Sequence, residues 1–458
     1  MILRHAIFGT LITATALLGG AGCSRDTGGL DPAQANTDPI VFIDDFSSGV
    51  DFQAFQYSDE NALSQDPTGG LEGTNALKVS VPGPGAFAGG AFVSFEGRDL
   101  SGYNALTFYA RASTDNVFDI VGLGNDNTGA SKYMASWSNF EITDTWQKFI
   151  VPIPLPEKLS FEKGLFFFAE AVPDGYPAYD VWFDDVKFES VENISNPRPS
   201  MDEVTLEPFL GSTVEIEGTK TVFDVGGTDQ TIDHLPGYFT FTSSDEEVAE
   251  VTNGEIVVVG VGLAEITAKM DTITVDGTVT LNTTAAPVTA APTPTEPASE
   301  VISLFSNAPG YTNVPVDTWA ATWSGASHEV ADVEVAGDDV KVYTNMTTYA
   351  GIEFVSQTID ASEMNYFHMD IWVPQGTQFK VKLVDFGEDG AYGGAPDSQD
   401  ELTFSPTTDP ALVTGTWVSL DMHLRDDFTQ LVSTEHLAQL IISGNTITVF
   451  VDNVYFHK

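Results

Sequence analysis

Two short stretches place an acid where a strand has no ordinary use for one. Residues 181–188 read VWFDDVKF and residues 449–456 read VFVDNVYF. Both alternate apolar and polar positions like a half-buried strand, and both break the pattern at the fourth position, with Asp184 and Asp452. A carboxylate there either caps a turn or helps hold a cation. Ca²⁺ takes six to eight oxygens, so backbone carbonyls and an early acid such as Asp45 in FIDDF would complete a structural calcium site.

Aromatic residues form the second candidate set. Sugars present C–H faces that stack on Trp and Tyr, while side-chain amides and carboxylates take the hydroxyls. Tyr311, Trp319 and Trp323 fall in the turn-rich GYTNVPVDTWAATWS, Tyr392 in DFGEDGAYGGAPDSQD, and Tyr133 and Trp137 in SKYMASWSNF. These six are the candidate glycan contacts. Core packing is the competing use, and it is the one expected for Trp146, Trp182, Trp372 and Trp417 on strongly alternating strands. For Trp319, Trp323 and Tyr392 both uses stand open.

Catalysis has no comparable signature. Glycoside hydrolysis needs two carboxylates at a fixed separation, but 66 acids make chance pairs common. There is no Gly-x-Ser-x-Gly elbow, His-Glu-x-x-His helix or phosphate-cradling glycine loop. The seven histidines are scattered, and His368 in YFHMDIW reads as a strand residue. No catalytic residue is assigned, and the chain is expected not to be an enzyme.

The elements around these residues repeat. Thr145-Trp146 leads QKFIVPI as Thr416-Trp417 leads VSLDMHL, and FDIVGLGND answers to FKVKLVDFGED. DLSGYNALTF and DASEMNYFHM share Ser101/Ser362 and Asn104/Asn365 at equal offsets, and LKV and VKV precede FVS by similar distances. Correspondences in one order over about 150 residues mark two diverged copies of one all-β domain. Between them, short alternating runs with Asn253-Gly254 as a tight hairpin read as a small Ig-like sandwich. TTAAPVTAAPTPTEPA, residues 283–298, is a Pro/Thr/Ala linker, extended and semi-rigid. The expected organisation is signal peptide 1–22, flexible tether 23–38, all-β module 39–192, Ig-like domain 199–282, linker 283–299 and a second all-β module 300–458, both modules being of the jelly-roll type by the resemblance given below.

Charge and cysteine usage narrow the partners. The 458 residues carry 66 acids against 18 bases, a net charge of −48. Such a surface repels phosphate backbones and anionic lipid, which excludes nucleic acid and disfavours acidic glycans; neutral partners and divalent cations remain. Cys23 is the only cysteine, so there is no disulfide framework. It follows a positive start at Arg4 and His5 and an apolar run from Ala6 to Leu18, the plan of a secretory signal rather than a membrane span.

Several stretches resemble known families. GGAGC, residues 19–23, resembles a bacterial lipoprotein signal, with Gly20 where that motif usually has Leu; Cys23 would carry the lipid, and Ser24 resembles the pattern sent to the outer membrane. SSDEEVAEVTNGEIVVVGVGLAEITA, from Ser243 to Ala268, resembles the bacterial Ig-like domain of group 2. NVPVDTW, VKLVDFGEDGAYGG and VFVDNVYFHK resemble a module appended to laminarinase-like glycoside hydrolases of family 16 in marine Bacteroidetes, although that family's E-x-D-x-x-E signature is missing. DDF, ALKV and WFDDVKF resemble jelly-roll carbohydrate-binding modules, in which a strand of this kind often carries structural calcium. The resemblance implies a surface glycan-binding lipoprotein of a Bacteroidetes polysaccharide-utilisation system. It would be anchored in the outer membrane, face the cell exterior and capture a neutral β-glucan such as laminarin, a β-1,3-glucan, for neighbouring hydrolases and a glycan importer. The alternatives are a structural or adhesive surface lipoprotein binding proteins or envelope components, and a degenerate hydrolase.

Overall fold

The computed structural model describes residues 35–325, 329–394 and 397–458. Strands and short 3₁₀ turns make up its regular structure, so the all-β sandwich class expected from the alternation is the class adopted. No helix among the described residues is long and apolar enough to cross a membrane. Cys23 and the signal-like segment 1–22 lie outside the described residues.

The first and last units share one topology. In the first, the strand Tyr179–Glu189 is central, pairing with Ile40–Ile43, Ala76–Val81 and Ala105–Ala112. In the last, Val449–His457 pairs in the same way with Val301–Phe305, Asp338–Thr344 and Tyr366–Trp372. The facing sheets also correspond, with Glu162–Ala171 between Phe87–Arg98 and Asn116–Leu123, and Leu437–Gly444 between Tyr349–Glu353 and Phe379–Asp385. One turn device recurs between them: Asp99 Oδ1 accepts from Ser101 N and Oγ at 3.2 and 2.6 Å, and Asp360 Oδ1 from Ser362 N and Oγ at 3.0 and 2.6 Å.

Inward positions of the facing sheets build each core. In the last unit Ala350, Ile352, Val381, Leu383, Leu440 and Ile442 point inward, and the residues between them are left to face out. This alternation places the site described below.

The middle unit does not stand apart from the first. Strands Ile194–Ser200, Lys220–Val225 and Thr228–His234 continue the first unit's second sheet, through Asp233 paired with Ser136 and His234 with Ala135. One apolar cluster runs from Val41 to Leu281 across both. The Pro-rich segment is also laid down. Thr289 O accepts from Trp417 Nε1 at 2.8 Å, Pro292 O from Asn453 Nδ2 at 3.1 Å, and Glu296 O from Tyr311 OH at 2.8 Å. Phe209 of the middle unit meets Phe450 edge to face at 5.3 Å.

Candidate functional site

The outward face of the last unit's four-stranded sheet forms a groove of about 1050 Å³. Alternation supplies its floor: Glu353 from Tyr349–Glu353, Gln439, Ile441 and Ser443 from Leu437–Gly444, Lys380, Lys382 and Val384 from Phe379–Asp385, and Gln399 and Glu401 from Ser398–Phe404. Trp323, Tyr349 and Tyr392 form the walls and are 37%, 39% and 68% exposed.

Trp323 sits on a loop stitched to the sheet edge. Asp317 N donates to Glu353 O at 2.8 Å, Glu353 N to Thr318 O at 3.0 Å, Ala321 N to Gly351 O at 2.9 Å, and Gly351 N to Ser324 Oγ at 2.9 Å. Its indole lies flat over Gly351, where an added Cβ would come within 2.1 Å of Cη2. Only glycine leaves room for the ring. The indole Nε1 donates to Glu353 Oε1 at 2.7 Å, its ring stacks on Tyr349 at 6.2 Å and 30°, and Tyr349 OH returns a bond to Trp323 O at 3.1 Å. Tyr392 stands on a loop that turns through left-handed glycines at 387, 390 and 393 and packs against Phe386 at 5.7 Å. Buried Asp385 secures the base of that loop, accepting from Gly387 N and His436 N at 2.8 Å each.

The groove's carboxylates already have partners. Glu353 Oε1 also accepts from Gln439 Nε2 at 3.0 Å, and Glu401 Oε1 pairs with Lys380 Nζ at 2.7 Å. Two lysines therefore stand beside two glutamates, so the floor has no net formal charge on a chain of −48. Exposed rings beside amides and balanced charges can stack on sugar faces and exchange hydrogen bonds with hydroxyls.

Of the six candidate glycan contacts, Trp323 and Tyr392 come together here. Trp319 instead packs edge to face with Phe305 at 5.6 Å under Lys341. Tyr311 lies edge to face with Tyr455 on the opposite sheet. In the first unit Tyr133 packs against Tyr238 of the middle unit, and Trp137 stacks on core residue Phe140 at 4.6 Å. The corresponding face of that unit holds a compact apolar cluster of Ala91, Val93 and Phe167 with Ile120 and Met134. Sequence reading passed over Glu353, Lys380, Lys382, Gln399, Glu401 and Gln439. The polar alternate positions in FKVKLVD were the available signal.

Of the candidate metal acids, Asp45 and Asp184 belong to the first unit and Asp452 to the last. Asp45 is exposed and caps its neighbour, accepting from Phe46 N at 2.8 Å. Asp184 is buried and accepts from Asp185 N at 2.7 Å and Leu71 N at 2.9 Å. Burial, with the nearby charges of Asp185 and Asp44, pushes its carboxyl above the usual range. Asn75 donates to Asp44 O at 2.6 Å and leaves its own buried Oδ1 without a partner. The orphaned Asn75 Oδ1 and the Asp184 carboxylate, with Asp44 close to both, are oxygens of the kind a hard cation takes. In the last unit Asp452 is fully buried, with Oδ1 on Asn453 N at 2.6 Å and Oδ2 unpartnered. Burial first, then the charges of Asp338 and Asp370, push its pKa up to about 8.

No protein-family model matches the chain, and no curated protein matches it. Solved structures with some likeness include the family 30 carbohydrate-binding module of a cellulosomal cellulase of Clostridium thermocellum. That match has 16% identity and a TM-score of 0.24, over 34% of this chain and 96% of the module. A family 11 carbohydrate-binding module from the same organism, in complex with a β-1,3-1,4-mixed-linked tetrasaccharide, matches at 12% identity and a TM-score of 0.26, over 34% of this chain and 98% of the module. A β-1,2-glucanase from Parabacteroides distasonis matches at 12% identity and a TM-score of 0.23, over 54% of this chain and 38% of the enzyme. At that level the reading of function rests on this chain's own residues.

Proposed function

We propose that this protein is a non-catalytic, cell-surface polysaccharide-binding lipoprotein that captures a neutral β-glucan such as laminarin in the groove of its C-terminal sandwich. The groove carries the reading, with Trp323, Tyr349 and Tyr392 standing over a floor of amides and balanced charges. A neutral polymer suits a floor without net charge, while the acidic surface around it turns away polyanions. Groove carboxylates held by Trp323, Gln439 and Lys380 serve as fixed acceptors for hydroxyls rather than as an acid and base pair. Lipidation at Cys23 would hold the chain at the outer membrane, facing outward beside a glycan importer and hydrolases. Ca²⁺ at Asp44, Asn75 and Asp184 would stiffen the first unit.

Affinity electrophoresis of the full chain in gels containing laminarin, mixed-linkage glucan, xylan, mannan or alginate tests this. Retardation by a neutral glucan, lost in Trp323→Ala and weakened in Tyr392→Ala, supports capture at this groove. Retardation by none of the polymers refutes the proposal and favours a structural or adhesive role. Retardation unchanged in both variants refutes the groove.

A further inference from the structure

On the opposite sheet of the last unit, three adjacent strands bring together a second group of residues. His368 on Tyr366–Trp372 lies directly across from Asp421 on Trp417–His423, and His457 comes from the neighbouring Val449–His457. Asp421 Oδ1 lies 2.9 Å from His368 Nδ1 and 3.0 Å from His457 Nε2, and one ligand atom from each residue lies within 4.8 Å of the other two.

The far nitrogens decide what the near ones can do. His457 Nδ1 is 3.1 Å from the carbonyl oxygen of Lys458, which only accepts, so Nδ1 carries the proton. His368 Nε2 faces Asp370 Oδ2 at 3.5 Å, and Asp370 is itself held by Asn453 Nδ2 at 2.9 Å and Ser419 Oγ at 2.5 Å. A neutral His457 therefore aims its Nε2 lone pair at the carboxylate of Asp421, and His368 presents Nδ1 to the same oxygen. Two ring nitrogens and a carboxylate oxygen thus converge, and the contact between His457 and Asp421 requires positive charge, supplied by an extra proton or by one metal ion that takes all three.

We propose that His368, His457 and Asp421 form a binding site for a divalent transition-metal ion of the zinc class, with solvent completing its coordination. Ligand bonds of about 2.0–2.2 Å at tetrahedral angles place ligand atoms about 3.3–3.5 Å apart, so the two contacts to Asp421 would open by about 0.4 Å and the two nitrogens, now within 4.8 Å of each other, would settle at that spacing. The surroundings match what metal-bound histidines use, since one far nitrogen is oriented by a carboxylate and the other by a backbone carbonyl. Stacking fixes both rings: His368 lies on Tyr455 at 4.5 Å and 16°, and His457 on Tyr366 at 5.1 Å and 15°. The histidines are 9% and 6% exposed, while the Asp421 side chain is 54% exposed and leaves the ion open to water. Two imidazoles and one carboxylate favour zinc and its neighbours over calcium or magnesium, which take oxygen. A bound ion would clamp three strands and the C-terminal residues together.

The test uses the full chain without a histidine tag, stripped with chelator and kept in excess Ca²⁺ to occupy the acidic surface. Zn²⁺ is titrated against a competing dye, and Co²⁺ is followed by its visible absorption. One Zn²⁺ per chain is expected, together with a Co²⁺ spectrum of mixed nitrogen and oxygen ligation. Asp421→Asn, at an exposed position, should weaken binding by more than about 100-fold, beyond the effect of losing an outer partner. His457→Gln should abolish the Co²⁺ band. Retention of the wild-type thermal midpoint in Asp421→Asn keeps the comparison within folded protein. No stoichiometric uptake above the Ca²⁺-suppressed background, or equal uptake by both variants, overturns the proposal and leaves protons in the metal's place.

Discussion

Gly351→Ala tests how the groove is built without touching a residue that would contact sugar. The new Cβ would lie 2.1, 2.5 and 2.6 Å from Trp323 Cη2, Cζ3 and Cζ2, so reaching a 3.4 Å contact moves the ring by about 1.3 Å. The strand itself tolerates alanine, because Gly351 is not among the residues with left-handed backbone. A shift of that size pulls Nε1 from Glu353, now 2.7 Å away, and tilts the ring off Tyr349. Overpacking of this kind costs about 1–3 kcal/mol of stability. Losing an aligned aromatic platform costs about 1–2 kcal/mol of binding, which is about a 5- to 30-fold rise in Kd for the retained glucan. Calorimetric titration with an oligosaccharide of that glucan measures the affinity, and tryptophan fluorescence reports the displaced indole. The decisive comparison is a double-mutant cycle: in a Trp323→Ala background the alanine at 351 should have no further effect on binding. Unchanged affinity in folded Gly351→Ala, or an equal loss in both backgrounds, would refute the claim that this glycine acts by seating Trp323.

Two more predictions concern the first unit. Glu170 accepts from Asp119 N at 2.6 Å and Tyr179 OH at 2.7 Å, and burial, chief among its causes, pushes its pKa up to about 7. A raised carboxyl stabilises the fold below its unfolded value of 4.5, and that contribution, about 3 kcal/mol, is lost as pH rises through 7. Glu170→Gln should flatten the fall in thermal midpoint between pH 5 and 8, and an unchanged slope counts against it. Millimolar Ca²⁺ should raise the thermal midpoint of the wild type above its value in chelator, and Asp184→Asn should abolish the gain. Persistence of the full gain in that variant places the ion elsewhere.

The sandwich class was legible because inward residues of the facing sheets alternate cleanly. The burial of the tryptophans was harder to read. Trp182 and Trp372 are buried, as their alternation implied, yet neither lies between the sheets. Trp182 lies under the Arg111 guanidinium at 3.9 Å and donates to Asp66 Oδ2 at 3.0 Å, while Trp372 packs with Phe450 in a seam that also takes in Phe209, Ala285 and Ala286. Periodicity shows that a position faces away from its neighbours and says nothing about what a distant segment lays over it. The groove failed to show for a related reason. Lys380 and Lys382 read as ordinary solvent-facing residues until the loop bearing Trp323, far away in sequence, covers Tyr349–Glu353, two strands across the same sheet, and walls the groove they floor.

The acid repeated in VWFDDVKF and VFVDNVYF has a backbone cause that both copies share. The residue after it is left-handed, with φ of 46° at Asp185 and 50° at Asn453, and the pairing register shifts there, across Asp184/Lys187 in one unit and His368/Asp370 in the other. Such a bulge frees an amide, and in both units the acid's Oδ1 takes it, at 2.7 Å from Asp185 N and 2.6 Å from Asn453 N. The second oxygen is where the copies part. Asp184 Oδ2 accepts from the loop amide of Leu71, whereas no donor reaches Asp452 Oδ2 and the charges of Asp338 and Asp370 act on that carboxyl. An asparagine could serve the bulge in either copy, since its side-chain oxygen would accept the same amide. The second oxygen explains an acid in the first unit, where it holds the Leu71 amide, while in the last unit burial and the like charges of Asp338 and Asp370 raise the Asp452 carboxyl.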